Sequence, residues 1–105
     1  MRLYDTTKWK KKRKRLARES GYMCELCLRE GKHESADLVH HIVPIELSDT
    51  LKLTNFNLIS VCWRCHETLH KRQSHKLTAR GIGLVRELVQ QSYIPPSILK
   101  LIERG

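Results

Sequence analysis

The stretches Cys24-Glu25-Leu26-Cys27 and Cys62-Trp63-Arg64-Cys65 decide the fold of this chain of 105 residues. Each is a Cys-x-x-Cys pair, and four thiolates complete one tetrahedral zinc site with no position left open. The interval between the pairs is wider than in a simple zinc ribbon, so a folded segment must lie between them. We therefore predict a structural Zn²⁺ bound by Cys24, Cys27, Cys62 and Cys65. Four buried thiols or two disulfides are the alternatives.

Three histidines lie near these cysteines and are surplus to a four-thiolate site. His40 and His41 form a doublet between the pairs, and His66 follows Cys65 directly. Hydrolysis of a phosphodiester needs a divalent cation at the scissile phosphate and a base of near-neutral pKa, a role that suits histidine. We predict that His41 is the general base and that His40 and His66 hold a catalytic metal. Because a regular strand points neighbours to opposite faces, the doublet must lie at a strand end or a distortion.

A run of six consecutive cations indicates a polyanionic partner. The chain has a formal net charge of +9 at pH 7 and a pI near 9.7, which favours nucleic acid over a membrane. Cations that neutralise phosphates give affinity without sequence readout, although a helix carries such a run around its whole circumference. A solvated helix face or a disordered tail is the alternative. We predict contacts with double-stranded DNA from Lys10, Lys11, Lys12, Arg13, Lys14, Arg15 and Arg64.

The sequence contains neither a recognisable secretory signal nor a membrane span. No stretch approaches the roughly 18 consecutive apolar residues of a transmembrane helix, and no apolar segment follows the basic N-terminus. We therefore expect a cytoplasmic, reducing setting and no membrane partner. In that setting Cys-x-x-Cys pairs bind metal more often than they form structural disulfides. A thioredoxin-like redox role would need one pair in a βαβ pattern, which this chain lacks.

Apolar spacing and helix breakers predict one small α+β domain. Pro44 ends the first predicted strand, over 37–43. Gly81 and Gly83 weaken the start of the helix predicted over 78–93 in the tail. Ser97, after Pro95-Pro96, is a candidate cap for the last helix. The predicted elements are a helix over 7–20, strands over 37–43 and 58–61, and helices over 64–74, 78–93 and 97–102.

Taken together, these features resemble the HNH endonuclease family, with its ββα-metal site. The resemblance runs from about Trp9 to His70, and it rests on the basic helix, both cysteine pairs, Val39-His40-His41-Ile42-Val43-Pro44, Asn57-Leu58 and Cys65-His66. It implies a zinc-stapled, treble-clef-like ββα-metal core with an N-terminal basic helix and a helical C-terminal tail. Residues 1–76 would form the nuclease domain, including the basic helix, and residues 77–105 a helical extension packed on or beside it.

The resemblance assigns roles to individual side chains. His41 matches the general base, while His40 and His66 match the two metal ligands. Asn57 matches the middle asparagine, whose side chain positions the loop and the base. His70 is similar to an extra histidine of colicin-type members and binds either the metal or a phosphate. His33 and His75 match no motif position and are expected to be exposed to solvent.

The family often has aspartate where this chain has His40. A site with one acid fewer carries less negative charge and softer ligands, so it should favour Mn²⁺, Co²⁺, Ni²⁺ or Zn²⁺ over Mg²⁺. The predicted cofactors are thus a structural Zn²⁺ and one catalytic divalent ion from this set of five.

The resemblance implies a metal-dependent DNA endonuclease that nicks or cleaves duplex DNA with weak sequence specificity. Water activated by His41 would leave 5′-phosphate and 3′-hydroxyl ends. The chain is most similar to small phage-type members with a four-cysteine zinc, which are associated with genome packaging and processing. This suggests phage terminase or other packaging proteins as partners, in the cytoplasm of a bacterial host cell. The alternatives are a non-catalytic zinc-finger DNA-binding module, with histidines that only pack, and a packaging-motor accessory factor that nicks only with its partner.

Overall fold

The computed structural model describes residues 3–74 and 76–104 of the chain. Within these ranges the elements are α1 Thr7–Glu19, α2 Glu25–Arg29, β1 Leu38–His41, β2 Leu58–Val61, α3 Trp63–Glu67, α4 Ala79–Gln90 and α5 Pro96–Arg104. Short 3-10 turns cover Leu3–Asp5, Asp49–Leu51 and Asn55–Asn57. The predicted small α+β class is confirmed. None of the helices in the described ranges has the length and apolar character needed to span a membrane.

The two strands form an antiparallel hairpin-like sheet whose end carries the histidine doublet. His41 pairs with Leu58 in the register, and β2 has the predicted bounds. β1 is shorter than the predicted strand over 37–43 because the regular pairing with β2 ends at His41. There the backbone N–H of Val43 donates to the side-chain Oδ1 of Asn57 at 2.7 Å and not to a strand carbonyl. The doublet therefore lies at a strand end, as predicted.

Helix α1 agrees with its predicted range to within one residue at its end. Thr6 is the N-cap, and its Oγ1 accepts a hydrogen bond from the backbone N–H of Trp9 at 3.2 Å. The helix stops before Gly21, which has a left-handed φ of 65° and lets the chain turn towards the first cysteine pair. Trp9 is the buried residue of α1, while most of its cationic side chains are exposed.

The helix predicted over 64–74 is wrong in length, since α3 ends at Glu67. The hydroxyl of Thr68 donates to the carbonyl of Cys65 at 2.6 Å, which competes with continued helical bonding. Beyond this point His70 forms an isolated antiparallel bridge with Leu77. His70 therefore leaves the helix and lies on an extended segment.

The C-terminal tail forms two helices, as predicted, with one difference at a cap. Thr78 caps α4, and its Oγ1 accepts from the backbone N–H of Gly81 at 3.2 Å. The last helix begins at Pro96, so Ser97 lies within its first turn and is not the predicted cap. Proline suits the first helical position because the N–H it lacks would have no intrahelical partner there.

One apolar core connects the cysteine-bearing elements to the tail. Its buried members include all four cysteines, Val61 and Leu69, together with Leu84 and Val85 of α4. An exposed ion pair between Arg29 and Glu87, at 3.0 Å, joins α2 to α4 on the surface. The domain boundary at residue 76 stays a prediction, and the apolar core continues across it.

Two glycines of α4 should respond to alanine in opposite ways. A Cβ at Gly81 would overlap the carbonyl oxygen of Leu69. Apart from the adjacent residues and the backbone of its own helix, no atom of the described residues lies within 4 Å of a Cβ at Gly83. We expect Gly83→Ala to raise the free energy of unfolding by about 0.5–1 kcal/mol through helix propensity. Gly81→Ala should lower it by about 1–3 kcal/mol through overpacking. Urea unfolding followed by circular dichroism measures both, and equal stabilisation would contradict the close approach of Gly81 to Leu69.

Candidate functional site

The four predicted zinc ligands form a buried cluster of free thiols. The Sγ of Cys27 lies 3.8 Å from that of Cys62 and 3.6 Å from that of Cys65. A tetrahedral site with Zn–S bonds of about 2.3 Å has sulfur–sulfur edges of about 3.8 Å. The cluster therefore has the dimensions of a four-thiolate zinc site. None of the four thiols is in a disulfide.

Each cysteine pair is shaped by the start of a short helix. Cys24 is the N-cap of α2, and its Sγ accepts from the backbone N–H of Cys27 at 3.4 Å. Cys62 is the N-cap of α3 and accepts in the same way from Cys65 at 3.5 Å. These N–H groups favour negative sulfur, but burial raises the pKa of the Cys27 thiol. A cation bound by the four sulfurs would offset this desolvation and favour the thiolate form.

A second group of potential ligands consists of three histidines. The ligand atoms of His40, His66 and His70 all lie within 4.8 Å of one another, and their ring centroids are 5.0 to 5.4 Å apart. Burial and then the neighbouring His70 lower the pKa of His40 to about 3, so its imidazole is neutral and able to bind a metal. Its Nε2 is buried and has no hydrogen-bond partner among the described residues. A divalent ion would satisfy this nitrogen, so the cluster fits a metal.

Different elements bring these three rings together. His40 lies on β1 opposite Ile59. His66 lies on α3 directly after Cys65, so the cysteine cluster fixes its backbone. His70 reaches the cluster from the extended segment that pairs with Leu77. The predicted helix over 64–74 would have placed His70 one turn after His66. Helix α3 ends before His70, and the bridge to Leu77 holds His70 near the cluster instead.

His41 has its own set of contacts, with a carbonyl and two rings outside the three-histidine cluster. Its Nε2 lies 2.9 Å from the carbonyl oxygen of Lys52. Because a carbonyl only accepts, Nε2 carries the proton and Nδ1 keeps its lone pair, which has no hydrogen-bond partner among the described residues. The ring stacks on Trp9 with centroids 5.0 Å apart and planes 20° apart. Burial lowers the pKa of His41, and the Lys52 carbonyl and Glu46 oppose that effect.

Asn57 is fully buried and ties together the loop after β1. Its Oδ1 accepts from the backbone N–H of Val43 at 2.7 Å, and its Nδ2 donates to the Val43 carbonyl at 3.1 Å and the Leu51 carbonyl at 3.3 Å. Leu51 directly precedes Lys52, whose carbonyl contacts His41. Asn57 therefore stabilises the loop that contacts His41, and its functional role stays a prediction.

One cleft of about 1160 Å³ includes both His41 and the three-histidine cluster among its lining residues. Lys10 and Arg13 of the predicted DNA-binding run also line it. Lys14 lines a smaller groove of about 410 Å³ on the flank of α1, together with Arg13. The remaining predicted contacts line neither of these two depressions, namely Lys11, Lys12, Arg15 and Arg64.

Other residues that line the cleft did not enter the sequence prediction: Tyr4, Glu46, Lys71 and Arg72. The cations Lys71 and Arg72 directly follow His70, and that adjacency was the available signal for them. Tyr4 and Glu46 had no such signal, because each reaches the cleft through packing. His33 is exposed, as expected, and His75 lies outside the described residues.

Comparisons with known proteins match the part of the chain that carries these clusters. A family model for HNH endonucleases matches residues 24–72. The crystal structure of the HNH endonuclease of the deep-sea thermophilic bacteriophage GVE2, with manganese ion, is similar with a TM-score of 0.60. The chains are 33% identical, over 61% of this chain and 70% of the phage chain. Among curated proteins nothing matches. The segment matched by the family model contains both cysteine pairs, His41 and the three-histidine cluster.

The cysteine cluster should hold one zinc per chain, retained through purification without added metal. Cys62→Ala removes both a ligand and the cap of α3, so we expect it to prevent stable folding. His66→Ala is the matched control, because it changes the adjacent helix without touching a thiol and should keep the zinc and the fold. Elemental analysis and circular dichroism measure these outcomes. Well-folded protein that contains no zinc would contradict the assignment.

Proposed function

Because this chain belongs to the HNH endonuclease family and is a metal-dependent nuclease, we propose that it nicks or cleaves duplex DNA with weak sequence specificity. One observation carries the proposal: His41, with a free Nδ1, and a cluster of three histidine ligands line the same cleft. A base and a cation at one phosphodiester are what its hydrolysis requires.

The three-histidine cluster is the proposed site of the catalytic ion. A divalent cation held by His40, His66 and His70 would neutralise charge on the scissile phosphate and stabilise the leaving 3′ oxygen. The ligand set is three imidazoles, which favours Mn²⁺, Co²⁺, Ni²⁺ or Zn²⁺ over Mg²⁺. The similar enzyme of phage GVE2 contains a manganese ion, which supports this preference.

His41 is the proposed general base. Nε2 is engaged by the Lys52 carbonyl, so Nδ1 is the nitrogen that accepts a proton from water. That water attacks phosphorus and the bond to the 3′ oxygen breaks. The leaving oxygen takes up a proton from solvent, so the products carry 5′-phosphate and 3′-hydroxyl ends. In this scheme Asn57 acts through the loop, because its hydrogen bonds to Val43 and Leu51 fix the segment that presents the Lys52 carbonyl.

The cations around the cleft are the proposed phosphate contacts. Lys10 and Arg13 come from α1, and Lys71 and Arg72 come from the segment after His70. Lysine and arginine bind the backbone of any sequence, and α1 shows no pattern of a recognition helix, which supports weak specificity. The chain is similar to a bacteriophage HNH endonuclease. On that ground we also propose that it acts in phage DNA packaging or processing in the host cytoplasm, with terminase or other packaging proteins as partners.

A non-catalytic zinc finger explains the cysteines and the charge but not the histidines. A purely structural His40 would leave Nε2 buried and unsatisfied, at a cost of about 1–3 kcal/mol. If His40 served only for packing, an apolar side chain at that position would avoid this cost. The unsatisfied nitrogen therefore favours the nuclease.

Substitution of the base and of a metal ligand should have different effects. His41→Ala should slow nicking of supercoiled plasmid by about 10²- to 10⁴-fold because it removes the group that activates water, and it should leave metal and DNA binding in place. His66→Ala should weaken metal binding, so its defect should ease partly at high Mn²⁺ concentration. Titrations of the nicking rate against Mn²⁺ distinguish the two. Equal rates for His41→Ala and wild type, at matched metal and DNA occupancy, would remove His41 from the mechanism.

The position of the cations in α1 should determine which of them contribute to DNA affinity. The double variant Lys10→Ala/Arg13→Ala removes two cations from the cleft, whereas Lys11→Ala/Arg15→Ala removes the same charge elsewhere on the helix. We expect the first variant to reduce the slope of log affinity against log salt by about 2, for every DNA sequence tested, and the second to change it less. Fluorescence anisotropy with a labelled duplex measures the slope, and equal changes in both variants would show that only net charge matters.

A further inference from the structure

We propose that Trp9 is a positioning residue that holds the imidazole plane of His41 in its reactive orientation. This inference rests on the proposed role of His41 as the base. Trp9 lies in the basic helix α1, and that position alone gives no indication that its indole takes part in the reaction.

The hydrogen bond of His41 fixes one atom of the ring but not its plane. The contact from Nε2 to the Lys52 carbonyl, at 2.9 Å, leaves the imidazole able to rotate about that contact and about its own side-chain bonds. Terminal torsions of histidine are broad, so they do not select one plane. Stacking on Trp9, with planes 20° apart, restricts that rotation. The direction of the Nδ1 lone pair therefore depends on the indole.

The packing of Trp9 is unusual for a buried apolar residue. Its side chain is 4% exposed, yet it lies outside the apolar core that contains the cysteines and α4. Its aromatic neighbours are His41 and Tyr4, and the Tyr4 ring lies edge-on to Trp9 at 5.3 Å and to His41 at 6.3 Å. Trp9 is thus buried beside the base.

The start of α1 holds the indole in place. Thr6 accepts the hydrogen bond from the backbone N–H of Trp9, which fixes the first turn of the helix. The next residue, Lys10, lines the cleft together with His41. The helix that supplies phosphate contacts therefore also orients the base.

Trp9→Leu keeps an apolar side chain but removes the flat face, and Trp9→Phe restores a face. Misplacing a reacting group by about 1 Å can cost on the order of 100-fold in rate. We expect Trp9→Leu to lower kcat for plasmid nicking by about 10- to 100-fold, with zinc content and DNA affinity close to wild type. Trp9→Phe should recover most of that loss. A loss confined to DNA affinity, with kcat unchanged, would overturn the proposal.

A double-mutant cycle tests whether Trp9 acts through His41. If it does, Trp9→Leu should cause no further loss of rate in a His41→Ala background. A merely structural role predicts the same proportional loss in both backgrounds and would contradict the proposal. Should Trp9→Leu not fold, the exposed neighbour Tyr4 offers a second variant. Tyr4→Ala removes the edge contact to both rings, and we expect a smaller loss that likewise disappears in the His41→Ala background.

Proton NMR of the zinc-loaded protein gives a readout that does not depend on catalysis. The indole ring current should shift the His41 ring protons upfield in wild type and not in Trp9→Leu. If wild type fails to nick DNA, the proposed function fails whatever the shift. If wild type nicks and Trp9→Leu nicks equally fast without the shift, only the role of Trp9 is overturned.

Discussion

The cluster of four cysteine thiols is the constraint on which the rest of this structure depends. Cys24 and Cys62 cap α2 and α3, so the cluster joins two helix starts that are far apart in the sequence. β2 leads directly into Cys62, and His66 follows Cys65, so the same cluster fixes the end of the sheet and one ligand of the second site. A chain of 105 residues has a small apolar core, whose burial gives only part of the free energy of folding. Metal binding at the four thiols would add to it.

The end of β1 separates the two tasks of the site. Alternation along a strand sends neighbouring side chains to opposite faces, so His40 joins His66 and His70 while His41 meets Trp9. The chain leaves the sheet immediately afterwards, and one cleft is lined both by His41 and by all three histidines of the cluster. A doublet in the middle of a strand would have placed its two rings in unconnected environments.

Much of the fold followed from local signals in the sequence. The Thr6 cap and the turn at Gly21 bound α1 within one residue of its predicted range, and β2 has its predicted bounds. Such signals act over a few residues, so the sequence carries them locally. The prediction for α3 was too long, since side-chain bonding by Thr68 and the bridge between His70 and Leu77 compete with the helix. Ser97 was a reasonable cap, but Pro96 begins the helix before it. At the site, the cysteines, His40 and His66 came from spacing and residue type, whereas His70 came from the resemblance to colicin-type members.

Residue types and their spacing establish the chemistry that is available: four thiols, the histidine doublet, His66 and a run of cations at fixed separations. Which nitrogen of His41 can accept a proton depends on the folded chain, because the carbonyl of Lys52 approaches Nε2 from across a loop. The packing also makes Trp9 stack on the base, and it brings Lys10 and Arg13 to the cleft but not Lys11, Lys12 or Lys14. These contacts join segments distant along the chain, and their geometry depends on how the elements pack, which local spacing does not encode.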